Sequence, residues 1–138
     1  MPDPSEEMEV KRRPDGVSLN AAISRAMVAE MKEFFGKGPE SAKSYLVDDL
    51  LFIVMRGGIT TAEDTMLEAG QHDLVRQFRL KFEEEMRERL TSMVEQLVGR
   101  KVVTYQSQIL FDPDIAIEMF VFDRPVEGAE AREVLPAG

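Results

Sequence analysis

One stretch constrains the fold more than any other, because His72 to Gly99 has the pattern of a long amphipathic helix. Apolar residues recur there at steps of three and four, which places them on one buried side of the helix. Gly99 suits a left-handed helix end, and at about 1.5 Å per residue the helix is on the order of 38 Å long. We expect this helix to be the central element of the fold. Because it is longer than a small domain is wide, we also expect it to extend into a dimer. The residues predicted to be buried are Leu74, Val75, Phe78, Phe82, Met86, Leu90, Met93, Val94 and Leu97.

The opposite face of this helix is predicted to be charged and exposed. Two pairs, Glu83 with Arg87 and Glu85 with Arg89, have the four-residue spacing and the order that favour ion pairs on a helix surface. The charged residues assigned to the exposed face are Arg76, Arg79, Lys81, Glu83, Glu84, Arg87, Glu88 and Glu95.

Composition excludes several classes of protein. The chain has 138 residues, a length typical of one domain, and it has no cysteine, which excludes disulfides and thiolate chemistry. Its net charge of -9 disfavours nucleic acid as a partner. We find no secretory signal and no apolar run of the roughly 20 residues that a membrane-spanning helix needs. We therefore expect a cytoplasmic protein that reaches a membrane only through a partner.

The two ends of the chain differ from its middle. Residues 1–16 are charged and rich in proline, and residues 124–138 have a similar composition. Such segments have too little apolar surface to offset the entropy cost of ordering. The sequence therefore predicts a disordered N-terminal tail over 1–16, a folded domain over 17–123 and a disordered C-terminal tail over 124–138.

Within the folded part, local signals predict the element order α, β, α, α, β, β. Ser18 can cap a first helix that ends at Gly36. The run from Tyr45 to Met55 is apolar on both faces from Leu50 onward, which predicts one central strand covered on both sides. Thr60 and Glu63 form a capping box for a short helix. After the long helix, two β-rich runs, 101–111 and 115–123, flank Asp112-Pro113-Asp114 and predict a hairpin. The predicted class is α+β, a small, largely antiparallel three-stranded sheet with helices packed on it.

Several stretches together resemble the MpsC-type domain, a bacterial family named after a component of a sodium-translocating, membrane-potential-generating system. The matching stretches are Gly36–Pro39, Tyr45–Thr60, Glu63, Glu68–Gly70, Gly99–Val103, Ser107 and Phe111–Asp123. The resemblance implies a cytoplasmic accessory domain linked to ion or bicarbonate handling. It supplies no catalytic residues.

The loop Arg56-Gly57-Gly58-Ile59-Thr60 is the strongest candidate for a ligand site. Its glycines let backbone N–H groups point at a ligand, the helix that follows adds a positive dipole, and Arg56 offers a forked donor. Arg56, Gly57, Gly58 and Thr60 are therefore the predicted binding residues for a small anion such as bicarbonate or phosphate. The alternative is a purely structural turn between a strand and a capped helix.

Other polar residues give weaker signals. Asp48 and Asp49 are adjacent on the predicted strand, so their carboxylates should point to opposite faces. Asp112 and Asp114 are more typical of a turn than of a cation site, and we predict no metal site and no cofactor. Glu118 is either a charge on an edge strand or a buried carboxylate that needs a cation. His72 begins a helix, so a capping or surface role is expected.

Three functions follow as hypotheses. The first is a non-enzymatic binding or regulatory module of the MpsC type, which acts as a homodimer or as the partner of a membrane transport subunit for sodium or bicarbonate. The second is a small enzyme or sensor for an anionic ligand, which requires Asp48 or Asp49, Arg56 and Glu118 to line one pocket. The third is a transcriptional regulator, which the negative charge disfavours.

Overall fold

The computed structural model describes residues 18–135. The predicted N-terminal tail over 1–16 and the end of the C-terminal tail lie outside these residues. The described part contains three helices and four strands in the order α1, β1, β2, α2, α3, β3, β4. Their bounds are α1 Leu19–Phe35, β1 Ser41–Val47, β2 Leu50–Arg56, α2 Thr61–Glu68, α3 His72–Val98, β3 Val102–Leu110 and β4 Ile115–Phe122.

The sheet has four antiparallel strands in the order β1-β2-β4-β3. The α+β class is confirmed, but the three-stranded prediction is wrong, because the run predicted as a single strand folds back on itself. Asp48 and Asp49 form the turn between β1 and β2, and Asp48 takes a φ of 52°. Aspartate tolerates this left-handed conformation, so the turn needs no glycine. The prediction that the two aspartates lie on a strand is therefore also corrected.

The local signals at helix ends and at the second hairpin are confirmed. Ser18 caps α1 by accepting a hydrogen bond from the Ala21 N–H, and Gly36 and Gly99 end α1 and α3 in the left-handed conformation. Strands β3 and β4 pair as predicted, from Val102 with Phe122 to Leu110 with Ile115. These features depend on neighbours within a few residues, which explains why sequence patterns reveal them.

One hydrophobic core lies between the helices and one face of the sheet. Helices α1 and α3 contribute Met27 and Leu90 to it, and the central strands contribute Ile53 and Phe120. The prediction that β2 is covered on both faces is wrong, because both long helices pack on this same face. The other face, which we call the open face, has a half-buried apolar centre formed by Leu50, Phe52, Val54, Ile117, Met119 and Val121.

Helix α3 has the predicted bounds, and four of the residues predicted to be buried are buried, but the prediction is wrong for part of this side. Leu74 and Phe78 are 50% and 51% exposed, whereas Arg79 and Glu83, both predicted to face solvent, are buried. The charge pairs predicted on its surface are replaced by other contacts. Arg87 donates to the Tyr105 carbonyl oxygen. The Nε of Arg89 lies 2.9 Å from Glu30 on α1. The buried side of α3 consists of Val75, Arg79, Glu83, Met86, Leu90 and Val94.

The segment after β4 packs along the edge of the sheet, although the sequence predicts disorder from Arg124 onward. Val126 is buried in the core, and its N–H donates to the Asp48 carbonyl oxygen at 2.8 Å. The Arg132 N–H donates to the Asp48 carboxylate at 3.1 Å. The β1–β2 turn therefore holds this segment through hydrogen bonds to its backbone and to one side chain.

Candidate functional site

The loop Arg56–Thr60 connects the end of β2 to the start of α2. Gly57 takes a φ of 76°, and a Cβ at this position would lie 2.7 Å from the Glu40 side chain. The left-handed φ favours glycine here, and the exposed Glu40 side chain would have to move to admit a Cβ. The Gly57 N–H donates to the Asp114 carbonyl oxygen at 3.3 Å, which ties the loop to the β3–β4 turn.

Carboxylates of the chain itself occupy donors that an anion would use. The Ile59 N–H donates to Oδ2 of Asp114 at 3.1 Å. The Thr60 N–H donates to Oε1 of Glu63 at 3.0 Å, which completes the predicted capping box. The surface cleft beside the loop is also lined by acidic side chains, those of Asp64, Glu68, Asp112 and Asp114. The anion site at Arg56, Gly57, Gly58 and Thr60 stays a prediction, and an external anion would have to compete with these carboxylates.

A buried ion pair fixes the loop to α3. The Arg79 guanidinium contacts both carboxylate oxygens of Glu63 at 2.6 Å, and it donates to the Gly58 carbonyl oxygen at 2.7 Å. The side chains of Arg79 and Glu63 are only 7% and 8% exposed. The guanidinium also lies over the Phe35 ring, 4.5 Å from its centroid. This one side chain therefore joins α1, the glycine loop, α2 and α3.

The charge of Arg79 controls the ionisation of its partner. Burial by itself would raise the pKa of Glu63, but the bonds from Arg79 and Thr60 and the positive charge of Arg79 outweigh it and lower the pKa below its ordinary value. Glu63 is therefore a carboxylate at neutral pH, and the pair is fully ionic.

Stretches that carry the family resemblance converge at this junction. Lys37, in the stretch Gly36–Pro39 that follows α1, donates to the Ile59 carbonyl oxygen at 2.9 Å. Lys37, Gly58 and Asp114 together line a cavity of about 20 Å³, which is room for about one water molecule. Arg79 and Glu83 complete its polar wall. The sequence pattern predicts that both of these residues face solvent, and the signal that could have identified them is their spacing of four and eight residues from the buried Val75.

The residues required for the enzyme hypothesis do not converge. Asp48 and Asp49 lie in the turn before β2, whereas Arg56 ends that strand, seven residues further on. At about 3.3 Å per residue, these positions are roughly 20 Å apart. Glu118 points into the core between them and is fully buried. Asp48, Asp49, Arg56 and Glu118 therefore line no common pocket.

The structure decides between the two predictions for Glu118. Its strand, β4, pairs with both β2 and β3, so Glu118 is a buried carboxyl on a central strand and not a charge on an edge. The Tyr105 hydroxyl and the Ser107 hydroxyl donate to its two oxygens, the latter at 3.1 Å. The cationic partner that the sequence suggests is not among these contacts.

The remaining candidates have structural surroundings. His72 lies in the first turn of α3, and its ring meets Phe111 edge to face at 5.5 Å between centroids. Asp112 and Asp114 lie in the β3–β4 turn, where Asp114 accepts from Ile59. Over residues 18–135, no group of three or more His, Cys, Asp or Glu side chains is placed to hold a metal ion. In the same range, no helix has the length and apolar content needed to cross a membrane.

Comparison with known proteins places this geometry in a family. The family described as "Na+-translocating membrane potential-generating system (MpsC)" matches residues 16–124. The uncharacterised protein YrhF of Bacillus subtilis (strain 168) is 29% identical over 106 residues, which cover 75% of this chain and 85% of YrhF. No solved structure matches the chain significantly. Because the family match spans the glycine loops, the long helix and the whole sheet, the chain belongs to the MpsC family.

Proposed function

We propose that this chain is a non-enzymatic binding and regulatory module that serves a sodium-translocating, membrane-potential-generating system, and that it acts as a homodimer. The description of the family supports the link to sodium translocation. The observation that carries the binding role is the open face of the sheet. A sheet face of this composition is normally buried against another layer, and α1 and α3 cover only the other side.

The open face has the composition of an interface. Its centre, on β2 and β4, is entirely apolar, and Phe52 lies opposite Met119 in the sheet register. Its edges are more polar, with Lys43 on β1 and Gln106 and Gln108 on β3. Such an apolar centre inside a polar rim is typical of protein interfaces. The face contains no acidic side chain, although the chain carries a net charge of -9. It is therefore a surface where two acidic copies can approach without strong repulsion.

The size and symmetry of this face favour a second copy as its occupant. Four strands about 4.8 Å apart, each about seven residues long at about 3.3 Å per residue, present on the order of 400 Å² of flat sheet. Two copies together contribute on the order of 800 Å², close to the roughly 1,000 Å² expected of the smallest biological interfaces. A two-fold axis between the sheets, parallel to the strands, places β1 over β3 and β2 over β4. The apolar strands then stack on each other, and Lys43 faces the glutamines of the partner copy.

The test is the oligomeric state of the full chain at micromolar concentration, measured by sedimentation equilibrium. Wild type should sediment as a dimer, and Phe52→Glu, which places a charge at the centre of the open face, should sediment as a monomer. The matched control is Gln96→Glu, which adds the same charge at an exposed position of α3. Circular dichroism verifies that each variant is folded, and the milder Met119→Gln should weaken dimerisation if Phe52→Glu does not fold.

Two results would contradict this proposal. The first is a wild-type monomer at micromolar concentration. The second is a dimer that Phe52→Glu and Met119→Gln leave intact, because the copies would then meet through another surface. Binding of a monomeric wild type to phosphatidylglycerol vesicles would assign the open face to lipid and also overturn the homodimer.

A further inference from the structure

Two carboxyl groups lie near each other inside the domain, because Glu83 on α3 lines the same cleft as Tyr105 and Ser107, whose hydroxyls donate to Glu118. Glu83 and Glu118 are 4% and 0% exposed. Glu118 accepts hydrogen bonds from Tyr105 and Ser107. The Oε2 atom of Glu83 is also buried, yet within residues 18–135 no group donates a hydrogen bond to it. A buried polar atom without a partner is costly, so this oxygen indicates a missing donor.

The neighbouring cations are committed to other groups. Arg79, one turn before Glu83, forms the bidentate pair with Glu63. Arg87, one turn after it, donates to the Tyr105 carbonyl oxygen at 2.9 Å and lies over the Tyr105 ring. Lys37 lines the small cavity beside Glu83, together with the acidic Asp114, and donates to Ile59. With both carboxyls ionised, two buried negative charges would face each other without a dedicated counter-ion.

We propose that Glu83 and Glu118 form a proton-binding site that holds one proton between them and exchanges it with solvent through the cleft between α3 and β3. This cleft has a volume of about 260 Å³, and Glu83, Tyr105 and Ser107 are among its lining residues. Glu83 also lines the 20 Å³ cavity beside Gly58. Glu83 therefore lies next to both spaces and can pass a proton between them and the buried Glu118.

The surroundings of Glu118 favour a proton on this carboxyl. Burial, then the negative charge of Glu83 and a hydrogen bond to it, raise the pKa of Glu118 well above its ordinary value, although Tyr105 and Ser107 act in the opposite direction. A protonated Glu118 donates to Glu83 and supplies the missing donor. Burial and the two carboxylates also raise the pKa of Tyr105, so its hydroxyl stays a donor to Glu118.

Release of this proton has a defined consequence for stability. The folded state holds a proton that the unfolded chain loses near the ordinary pKa of glutamate, so the folded state binds more protons above that pH. The contribution of this pair to stability is therefore greatest below the ordinary pKa of glutamate and falls as the pH rises towards the raised pKa of Glu118. For one proton, the unfolding equilibrium constant increases by up to about tenfold per pH unit in this window. The added charge repels α3 from the sheet at Glu83 and Glu118.

The test combines infrared spectroscopy with chemical denaturation of the full chain. With ¹³C-labelled glutamate, wild type should show the carbonyl band of a protonated carboxyl at neutral pH, and Glu118→Gln should lack it. As the pH rises from about 5, just above the ordinary pKa of glutamate, the unfolding constant should rise steeply in wild type and much less in Glu118→Gln. Glu84→Gln is the matched control, because Glu84 lines the same cleft but is exposed. It should retain both the band and the slope.

A second variant keeps the proposal testable if Glu118→Gln does not fold. In Glu83→Gln the uncharged amide can donate to Glu118, so the titration midpoint of the band should move to lower pH. An absent band in wild type, or an unchanged midpoint in Glu83→Gln, would overturn the proposal. Loss of the band when choline chloride is replaced by sodium chloride would assign the site to a metal cation and would also overturn it. None of these results depends on dimerisation, which sedimentation tests separately.

Discussion

The buried ion pair between Arg79 and Glu63 gives the most stringent test of how α3 is held. In Arg79→Met the apolar stem remains, but the Glu63 carboxylate loses its counter-ion and the Gly58 carbonyl oxygen loses a donor. Because both side chains are less than a tenth exposed, solvent cannot replace these contacts. Breaking a buried pair by removing one partner costs about 3–5 kcal/mol, a large share of the roughly 5–15 kcal/mol that stabilises a domain.

The assay is urea denaturation of wild type, Arg79→Met, Glu63→Gln and the double variant. The double variant should be more stable than the two single changes predict in sum, because neither partner is left as an unpaired buried charge. The matched control is Arg76→Met. Arg76 pairs with Asp73 at 3.4 Å, and these side chains are 39% and 94% exposed, so its loss should cost less than about 1 kcal/mol. For a chain of this length, the Arg79→Met melting temperature should fall by roughly 10–20 °C.

The pH dependence provides an independent check. In wild type the lowered pKa of Glu63 gives stability that is present above its ordinary pKa and is lost as the pH falls through the lowered pKa. In Arg79→Met, burial favours the neutral acid and is opposed only by the bonds from Thr60, so the defect should shrink in acid. Equal losses for Arg79→Met and Arg76→Met, or a defect that does not change with pH, would refute the assignment of this pair as the junction that holds α3.

Two further predictions concern the glycine loop. Gly57→Ala should cost at least the roughly 1–2 kcal/mol of a left-handed alanine, and more than Gly99→Ala, because only Gly57 faces a close side chain. Glu40→Ala in the same chain should remove the excess, and an unchanged difference in urea denaturation would contradict this explanation. Bicarbonate or phosphate should raise the melting temperature only slightly, since Ile59 and Thr60 already donate to Asp114 and Glu63. Arg56→Ala should abolish that rise, and an equal rise in both proteins would place the anion elsewhere.

The sequence predicts those parts of the fold that depend on short-range interactions. The capping box of Thr60 and Glu63, the glycine ends of α1 and α3 and the β3–β4 hairpin all agree with the structure. The first half of β1 escapes prediction because Ser41–Ser44 has low β-propensity. Its turn uses Asp48 in place of the glycine that usually marks a hairpin. The apolar run from Tyr45 to Met55 therefore predicts one strand where the structure has two.

The candidate site could be predicted only in part, because its contacts connect distant elements. The glycine loop is visible in the sequence, but the bond from Arg79 to Glu63 spans 16 residues and the one from Ile59 to Asp114 spans 55. Which strands neighbour β4 decides whether Glu118 is buried, and strand order is not encoded in periodicity. The bond from the Ile59 N–H to the Asp114 carboxylate likewise depends on how the sheet assembles.

The orientation of α3 depends on both its apolar and its polar contacts. A rotation of about one residue would bury Leu74 and Phe78, as their hydrophobicity predicts, but it would also turn the four apolar residues that α3 now buries out of the core. Since Leu74 and Phe78 are already half buried, the gain would be about 1 kcal/mol for each side chain. The same rotation would pull Arg79 away from Glu63, which costs about 3–5 kcal/mol, and would move Glu83 away from Glu118. The apolar and polar losses together exceed this gain, so the helix keeps Arg79 and Glu83 inside and leaves Leu74 and Phe78 half exposed. A local conflict of this kind is expected where a sequence is constrained by function as well as by folding.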